Sequence, residues 1–293
     1  MAGRVLALLM LLPVMAAAEP LRLVDDTGHE VALDEPAERI ISLAPNITES
    51  LFAAGAGDRI VATVNYSDYP PQAEEIPRIG GYDRLDLETI LDYEPDLVIG
   101  WHSGNPERQI ERLRELGVPV YMSEARQPAD VGRTLERLGR LAGTAEAGEA
   151  AAHDFLARFE TLRAVYGERA PVDVFYQIWD DPLMTINGQH MISSVIRGCG
   201  GRNVFGDLSS LAPRIGVEAV LERDPEFILA SGMGDERPDW LDDWREWPEL
   251  HAVAQDNLYF IPPAILQRQS TRILDGMEQL CAQIEEAREK RAE

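Results

Sequence analysis

Short apolar runs alternate with amphipathic stretches along most of the chain. The apolar runs are rich in Val, Ile, Leu and aromatic residues, and the stretches between them repeat apolar positions every three or four residues. The runs occupy residues 39–43, 59–64, 96–100, 118–122, 172–178, 226–230 and 257–261. Apolar strands separated by helices are typical of parallel sheets that are buried on both faces. The pattern therefore predicts an α/β protein.

One stretch in the first half of the chain is similar to one in the second half. Residues 87–100 (LETILDYEPDLVIG) and 217–230 (VEAVLERDPEFILA) each combine a short helix, a proline that ends it and an apolar strand. A weaker pair, residues 50–57 and 194–201, precedes this unit in each half with a helix and a glycine turn. The same units in the same order predict two similar lobes, although a chance match is the alternative.

A long helix is predicted between the two halves, over residues 145–167. Its apolar residues recur at spacings of three and four: Ala151, Phe155, Phe159, Leu162 and Tyr166. We predict two Rossmann-like lobes joined by this single helix, with a surface helix inside one domain as the alternative. The predicted boundaries are residues 1–18 (signal peptide), 19–142 (N-terminal lobe), 143–170 (linker helix) and 171–293 (C-terminal lobe).

The first eighteen residues differ from the rest. Arg4 precedes an apolar run over residues 5–14, and three alanines occupy positions 16–18. This order is typical of a cleaved secretory signal peptide and is too short for a membrane span, although a buried N-terminal helix is the alternative. Because no cysteine stands directly after the predicted cleavage site, we expect a periplasmic protein without a lipid anchor.

Charge and cysteine content narrow the choice of partners and compartment. The 293 residues carry 51 acidic and 27 basic side chains, for a net charge of -24, which disfavours a nucleic-acid partner. The two cysteines, Cys199 and Cys281, suggest one disulfide in an oxidising compartment. Two buried free thiols are the alternative.

Signals for catalysis and metal binding are weak. The chain lacks a Gly-x-Ser-x-Gly elbow, a P-loop and a full dinucleotide fingerprint, and its five histidines are scattered. We therefore expect no catalytic residues and no metal site. A periplasmic enzyme with an α/β sheet and a scaffold for a metallocofactor remain rival interpretations.

Aromatic side chains follow several predicted strands. Tyr66 and Trp101 do so in the first half and Trp179 in the second, and the Pro-rich segment 261–268 follows the last strand. Tyr82 lies in a Gly-Gly-Tyr turn of the first half. Since open α/β sheets bind ligands at the carboxyl ends of their strands, these loops predict a cleft lined by flat side chains. For any single aromatic residue, packing in the core or at the rim is an equal alternative.

Glu88 and Glu218 occupy equivalent places at the start of the helix in the repeated unit. Acidic residues there are favoured by the helix dipole alone. A second interpretation is a symmetric pair of docking points for basic side chains on a two-fold partner.

Taken together, these residues resemble the cobalamin-binding periplasmic component of vitamin B12 ABC importers, the BtuF type, over about residues 39–284. The motifs that carry the resemblance are residues 42–49 (SLAPNITE), 66–73 (YSDYPPQA), 105–109 (NPERQ) and 199–205 (CGGRNVF), with 272–273 and 279–281. The resemblance implies a receptor that captures cobalamin or another corrinoid as transported ligand, without a resident cofactor. It also implies an inner-membrane ABC permease dimer with its ATPase as partner, and we expect the receptor to be a monomer.

The strand-exit loops and the resemblance together predict the site. The predicted ligand-binding residues are Tyr66, Tyr82, Trp101, Trp179, Ala264, Ile265, Leu266, Gln267 and Arg268. By resemblance, Glu88 and Glu218 match two acids that dock onto arginines of the permease, and Cys199 and Cys281 match a lobe disulfide.

Two departures from the family pattern affect the expected ligand. Ala212 stands where a second tryptophan is expected, and residues 264–267 lack the acidic and aromatic character of that loop. The resemblance then implies a roomier pocket or one that accepts corrinoid variants. A haem or ferric-siderophore binding protein of the same fold is the alternative.

Overall fold

The computed structural model describes residues 20–232, 234 and 236–291, so the predicted signal peptide lies outside the described residues. Two four-stranded parallel sheets form the centres of two lobes. The first sheet contains β3 (Ile40–Ser42), β4 (Ile60–Thr63), β7 (Leu97–Trp101) and β8 (Val120–Ser123). The second contains β9 (Val172–Gln177), β10 (Gly201–Asn203), β11 (Phe227–Ala230) and β12 (Leu258–Phe260).

Strand order is the same in both sheets. The order is β4-β3-β7-β8 in the N-terminal lobe and β10-β9-β11-β12 in the C-terminal lobe, so each reads second, first, third, fourth along the chain. The predicted repeat supplies the third strand of each sheet with the helix before it, α2 (Leu87–Asp92) and α7 (Val217–Arg223). The two similar lobes predicted from the sequence are therefore confirmed.

The remaining elements cover these sheets. The N-terminal lobe adds the hairpins β1 (Leu21–Val24) with β2 (Glu30–Leu33) and β5 (Gly80–Gly81) with β6 (Arg84–Leu85). Its other helices are α1 (Pro45–Ala53), α3 (Glu107–Glu115) and α4 (Pro128–Leu141), with 3-10 turns at Gly57–Arg59 and Pro71–Glu75. The C-terminal lobe adds α6 (Met191–Gly198), α8 (His251–Ala254), α9 (Pro263–Leu266) and α10 (Ile273–Lys290), with a 3-10 helix at Asp239–Glu246.

A 22-residue helix, α5 (Ala145–Tyr166), runs between the lobes. Phe155 is buried in the core of the C-terminal lobe, and Phe159, Leu162 and Tyr166 are packed against it, as the apolar stripe predicts. At its other end α5 lies close against α4, since a Cβ on Gly139 would come within 2.9 Å of the Gly148 Cα atom. The helix therefore packs on both lobes, which confirms two lobes joined by one long helix.

Each predicted strand is present within two residues of its expected bounds. The prediction missed the four strands of the two hairpins and, in the parallel sheets, β10, a short edge strand whose sequence, Gly-Arg-Asn, is polar. An edge strand is half exposed and needs no apolar run, so hydropathy alone does not reveal it.

Cys199 and Cys281 form a disulfide, with Cα atoms 4.7 Å apart. Cys199 caps the C-terminus of α6 and Cys281 lies within α10, and both side chains are buried. The bridge ties together two helices of the C-terminal lobe and confirms the predicted disulfide.

No helix among the described residues is both long and apolar enough to cross a membrane.

Candidate ligand-binding site

Residues 65–71 follow β4 and form the loop, here called the ligand loop, that carries two exposed tyrosines. Tyr66 is 73% exposed and has a φ of 64°, while Tyr69 is 42% exposed. A left-handed backbone costs a tyrosine roughly 1–2 kcal/mol, so other contacts must hold Tyr66 in place.

The residue between these tyrosines is a buried anchor. The Ser67 hydroxyl lies 2.9 Å from the Thr63 hydroxyl on β4 and 3.2 Å from that of Thr48 on α1. Thr48 and Thr63 are themselves 2.8 Å apart, and all three side chains are buried. The centre of the ligand loop is thus fastened to the sheet and to α1.

A second anchor comes from a single guanidinium. Arg78 donates to the carbonyl oxygens of Ser67 at 2.7 Å, Ala73 at 2.9 Å and Ile76 at 2.7 Å. These bonds hold the backbone between the two tyrosines, at Ser67, and the segment that follows Tyr69. The ligand loop is therefore preorganised, which lowers the ordering cost of binding.

A concavity of about 930 Å³ adjoins this loop. Tyr66 and the 36%-exposed Tyr82 contribute to its wall. The ring of Tyr82 lies 6.0 Å from that of Trp101, which stands at the carboxyl end of β7, with the ring planes tilted by 48°. The residues that line the concavity all come from the N-terminal lobe: Asn65, Tyr66, Arg78–Leu87 and Thr89. The structure thus brings Tyr66, Tyr82 and Trp101 into one region.

The predicted residues of the C-terminal lobe do not line this concavity. Trp179 is half-buried after β9, where its indole nitrogen donates to the Asp181 carbonyl at 2.9 Å. Ala264 and Ile265 are half-buried on α9. The contact of these three residues with ligand stays a prediction.

Two residues of the predicted loop 264–268 have mainly internal partners. Leu266 is fully buried in the core of the C-terminal lobe, so it offers no surface to a ligand in this conformation. Gln267 donates to the Ser231 carbonyl and to the Tyr176 hydroxyl, which fastens α9 to the sheet.

Arg268 reaches the ligand loop from the C-terminal lobe. Its guanidinium donates to the Asp68 carboxylate at 2.5 and 3.2 Å and to Glu49 at 2.8 Å. Burial alone would raise the pKa of Asp68, but the hydrogen bond and charge of Arg268 outweigh it and lower that pKa. The predicted Arg268 therefore lies beside the loop that carries Tyr66, with its donors largely directed at protein carboxylates.

Sequence reasoning missed Glu49. It is a buried glutamate on α1, and burial raises its pKa, although hydrogen bonds from Ser270 and Arg268 oppose the rise. A signal was available, since Glu49 is the one charged residue in the sequence of that helix, PNITESLFA. A charge within an otherwise uncharged helix calls for a partner elsewhere.

Glu88 and Glu218 are exposed in the first turns of α2 and α7. Neither forms an ion pair with any residue in the described part of the chain. Their placement is equivalent in the two lobes, because both helices precede the third strand of their sheet.

Among residues 20–232, 234 and 236–291, no group of three or more His, Cys, Asp or Glu side chains is arranged to hold a metal ion.

Comparisons with known proteins agree with this architecture. The sequence pattern of the periplasmic binding protein family matches residues 40–265. The vitamin B12-binding protein of Vibrio cholerae is 39% identical over 256 residues, which cover 87% of this chain and 92% of that protein. The crystal structure of the periplasmic vitamin B12 binding protein BtuF of Vibrio cholerae superimposes with a TM-score of 0.78 at 38% identity, covering 86% and 98% of the two chains.

The same fold also occurs with another ligand class. The periplasmic heme-binding protein RhuT from Roseiflexus superimposes with a TM-score of 0.77 at 24% identity, over 86% of this chain and 99% of that one. At that identity the likeness concerns the fold alone. The relatives are binding proteins and not enzymes.

Proposed function

Because this chain belongs to the periplasmic binding protein family, we propose that it captures cobalamin or a related corrinoid and delivers it to an ABC importer of the inner membrane. The corrinoid is transported ligand and not a cofactor. Similarity to proteins named for vitamin B12 binding extends over most of the chain and supports this ligand class.

The observation in this molecule that carries the proposal is the pair of exposed tyrosines in the wall of the concavity, Tyr66 on the preorganised ligand loop and Tyr82. A corrinoid presents a wide, nearly flat ring, and flat rings stack favourably on aromatic side chains. The volume of about 930 Å³ lies near the upper end of the range for small-molecule sites, about 300–1,000 Å³. Such a site selects its ligand by shape and stacking.

The proposed binding surface has one part on each lobe. Tyr66, Tyr82 and Trp101 form the N-terminal part. Trp179, Ala264, Ile265, Gln267 and Arg268 form the C-terminal part, and the buried Leu266 supports it from the core. Small side chains at Ala212 and Ala264 favour a roomy C-terminal part that accepts corrinoids with different substituents. The proposed units are the lobes at 19–142 and 171–293 and the linker helix at 143–170.

Delivery is proposed to use the exposed Glu88 and Glu218. A permease dimer has two-fold symmetry, and the two lobes present these acids at equivalent positions. One monomeric receptor can then place one carboxylate on each half of the permease, which works with its ATPase. Export is proposed to remove residues 1–18, whose apolar run and alanines fit a cleaved signal, without attachment of a lipid.

Ligand titration tests the proposed function. The purified protein is mixed with cyanocobalamin, haemin or a ferric hydroxamate and then desalted, and the visible absorbance of the protein fraction is recorded. We expect the corrinoid spectrum to stay with the protein. Retention of haemin or the hydroxamate without any retention of cyanocobalamin would instead support the haem or siderophore alternative.

A further inference from the structure

A buried carboxylate of the N-terminal lobe makes its side-chain hydrogen bonds to the C-terminal lobe. The Glu49 side chain is 1% exposed. Its Oε1 accepts from Arg268 Nη1 at 2.8 Å and from Arg272 Nη1 at 3.4 Å, and its Oε2 accepts from the Ser270 hydroxyl. These three donors lie 219 to 223 positions later in the chain.

Both arginines also contact the ligand loop. Arg268 bonds to both carboxylate oxygens of Asp68. The guanidinium carbon of Arg272 lies 4.1 Å from the ring centre of Tyr69, which is cation–π geometry. Each arginine therefore bridges the buried Glu49 and a loop residue next to the proposed binding surface.

Rigid elements hold both sides of this arrangement. Glu49 belongs to α1, and its neighbour Thr48 is bonded to the buried hydroxyls of Thr63 and Ser67. On the other side, Arg272 is the N-terminal cap of α10, the helix that the disulfide joins to α6. Neither side can shift far without moving a whole element.

The charges in this arrangement balance. Two carboxylates, of Glu49 and Asp68, face two guanidinium groups, of Arg268 and Arg272. Removing one partner of a buried ion pair leaves an uncompensated charge, which is costly. Separation of the lobes would break all three hydrogen bonds to Glu49 together.

We propose that Glu49, Asp68, Arg268, Ser270 and Arg272, here called the inter-lobe cluster, hold the ligand loop at a set position against the C-terminal lobe. Glu49 is then a positioning residue, because it acts through the two arginines. The effect on ligand affinity rests on the proposed corrinoid function, whereas the effect on lobe spacing does not depend on which ligand is bound.

Lobe spacing provides the first test. Spin labels are attached at L116C and Q255C, two exposed positions on different lobes, and their distance distribution is measured without ligand by pulsed electron resonance. We expect a single narrow distribution in the otherwise unchanged protein and a broader one after E49Q. The matched control is E38Q, an exposed glutamate of the same lobe, which should leave the distribution unchanged. Superimposable distributions for E49Q and the unchanged protein contradict the proposal.

Affinity provides the second test. We expect E49Q to weaken cyanocobalamin binding by about ten-fold, measured well below the unfolding temperature, and E38Q to leave it unchanged. D68A removes a half-exposed partner and should weaken binding as well. If D68A instead tightens binding, Asp68 competes with the ligand for Arg268 and the proposal is wrong.

The two tests separate the two proposals. If cyanocobalamin does not bind the unchanged protein but E49Q broadens the distance distribution, the corrinoid function fails and the inter-lobe cluster stands. If cyanocobalamin binds and neither E49Q nor D68A changes affinity or spacing, the cluster fails and the function stands. If E49Q does not fold, lobe spacing and cyanocobalamin affinity are measured on S270A and D68A instead.

Discussion

The hydroxyl oxygens of Thr63 and Ser67 lie 2.9 Å apart and are buried, although Ser67 directly follows the 73%-exposed Tyr66. The exposed ring of Tyr66 is thus anchored through the buried hydroxyl of the next residue. This hydrogen bond holds Tyr66 in its left-handed backbone conformation before any ligand binds.

We therefore expect S67A to reduce both stability and affinity. Loss of the hydroxyl leaves its buried partners short of a bond, which should cost about 1–3 kcal/mol in the free energy of unfolding. Because the loop loses its anchor, cyanocobalamin binding should weaken even where the variant is fully folded. Urea unfolding and titration calorimetry measure the two effects, and S210A, at an exposed position, is the control. Unchanged affinity in a destabilised S67A would limit the hydroxyl cluster to a structural role.

Removal of the Tyr66 ring should weaken corrinoid binding without unfolding the protein. We expect Y66A to cost about 1–3 kcal/mol of binding free energy, by analogy with the loss of one stacking contact. Y66F keeps the ring and should retain most of the affinity. Calorimetric titration of both variants checks this, and equal affinities for Y66A and the unchanged protein would take Tyr66 out of the site.

Charge reversal at the two exposed acids should separate binding from transport. In the double variant E88R/E218R, the carboxylates proposed to meet basic permease side chains become repulsive. Cyanocobalamin affinity should be unchanged, whereas uptake by cells that depend on this receptor should stop. The control E38R/E249R makes the same charge change at exposed acids elsewhere in the two lobes. Normal uptake with E88R/E218R would leave these glutamates with only a helix-dipole role.

The disulfide should contribute substantially to stability. It closes a loop of 82 residues, for which the chain-entropy model gives about 4.5 kcal/mol. The variant C199A/C281A should unfold at a lower urea concentration by a corresponding amount. Since both sulfurs are buried, a reductant should cleave the disulfide of the unchanged protein only under conditions where the C-terminal lobe unfolds. Equal midpoints for the variant and the oxidised protein would contradict this estimate.

Stability should fall as the pH drops below 6.5, partly through His190. Burial lowers the pKa of His190 from 6.5 to about 4, so the folded protein resists protonation that the unfolded chain accepts. Between pH 6.5 and about 4, His190 is protonated in the unfolded chain but not in the folded protein. Its contribution should therefore decrease the free energy of unfolding by about 2 kcal/mol from pH 7 to pH 5.

The variant H190N isolates this effect. His190 caps α6 by accepting from the Ile192 amide, and asparagine can also cap a helix but does not titrate in this range. Urea unfolding at pH 7 and pH 5 should show a smaller decrease for H190N than for the unchanged protein. An identical decrease would assign the pH dependence to other groups.

The binding surface was only partly predictable. Tyr66 and Trp101 were proposed because aromatic residues after strands of a parallel sheet gather at one edge, and the structure places them in one region with Tyr82. The burial of Leu266 was not predictable, since a side chain within a four-residue helix can face the core or the solvent and periodicity cannot distinguish them over so few residues. Glu49 was missed because its partners are more than two hundred positions away.

Local pattern by itself determined the α/β class, the two similar lobes, the long helix between them and the aromatic loops at strand ends. These features depend on periodicity and turn residues over ten to twenty positions, which the sequence displays directly. Only the tertiary structure decided that Ser67 anchors the ligand loop, that Leu266 belongs to the core and that Glu49 bonds to Arg268 in the other lobe. Such contacts depend on how whole elements pack, because a buried charge or hydroxyl takes whatever partner the fold brings within hydrogen-bonding distance.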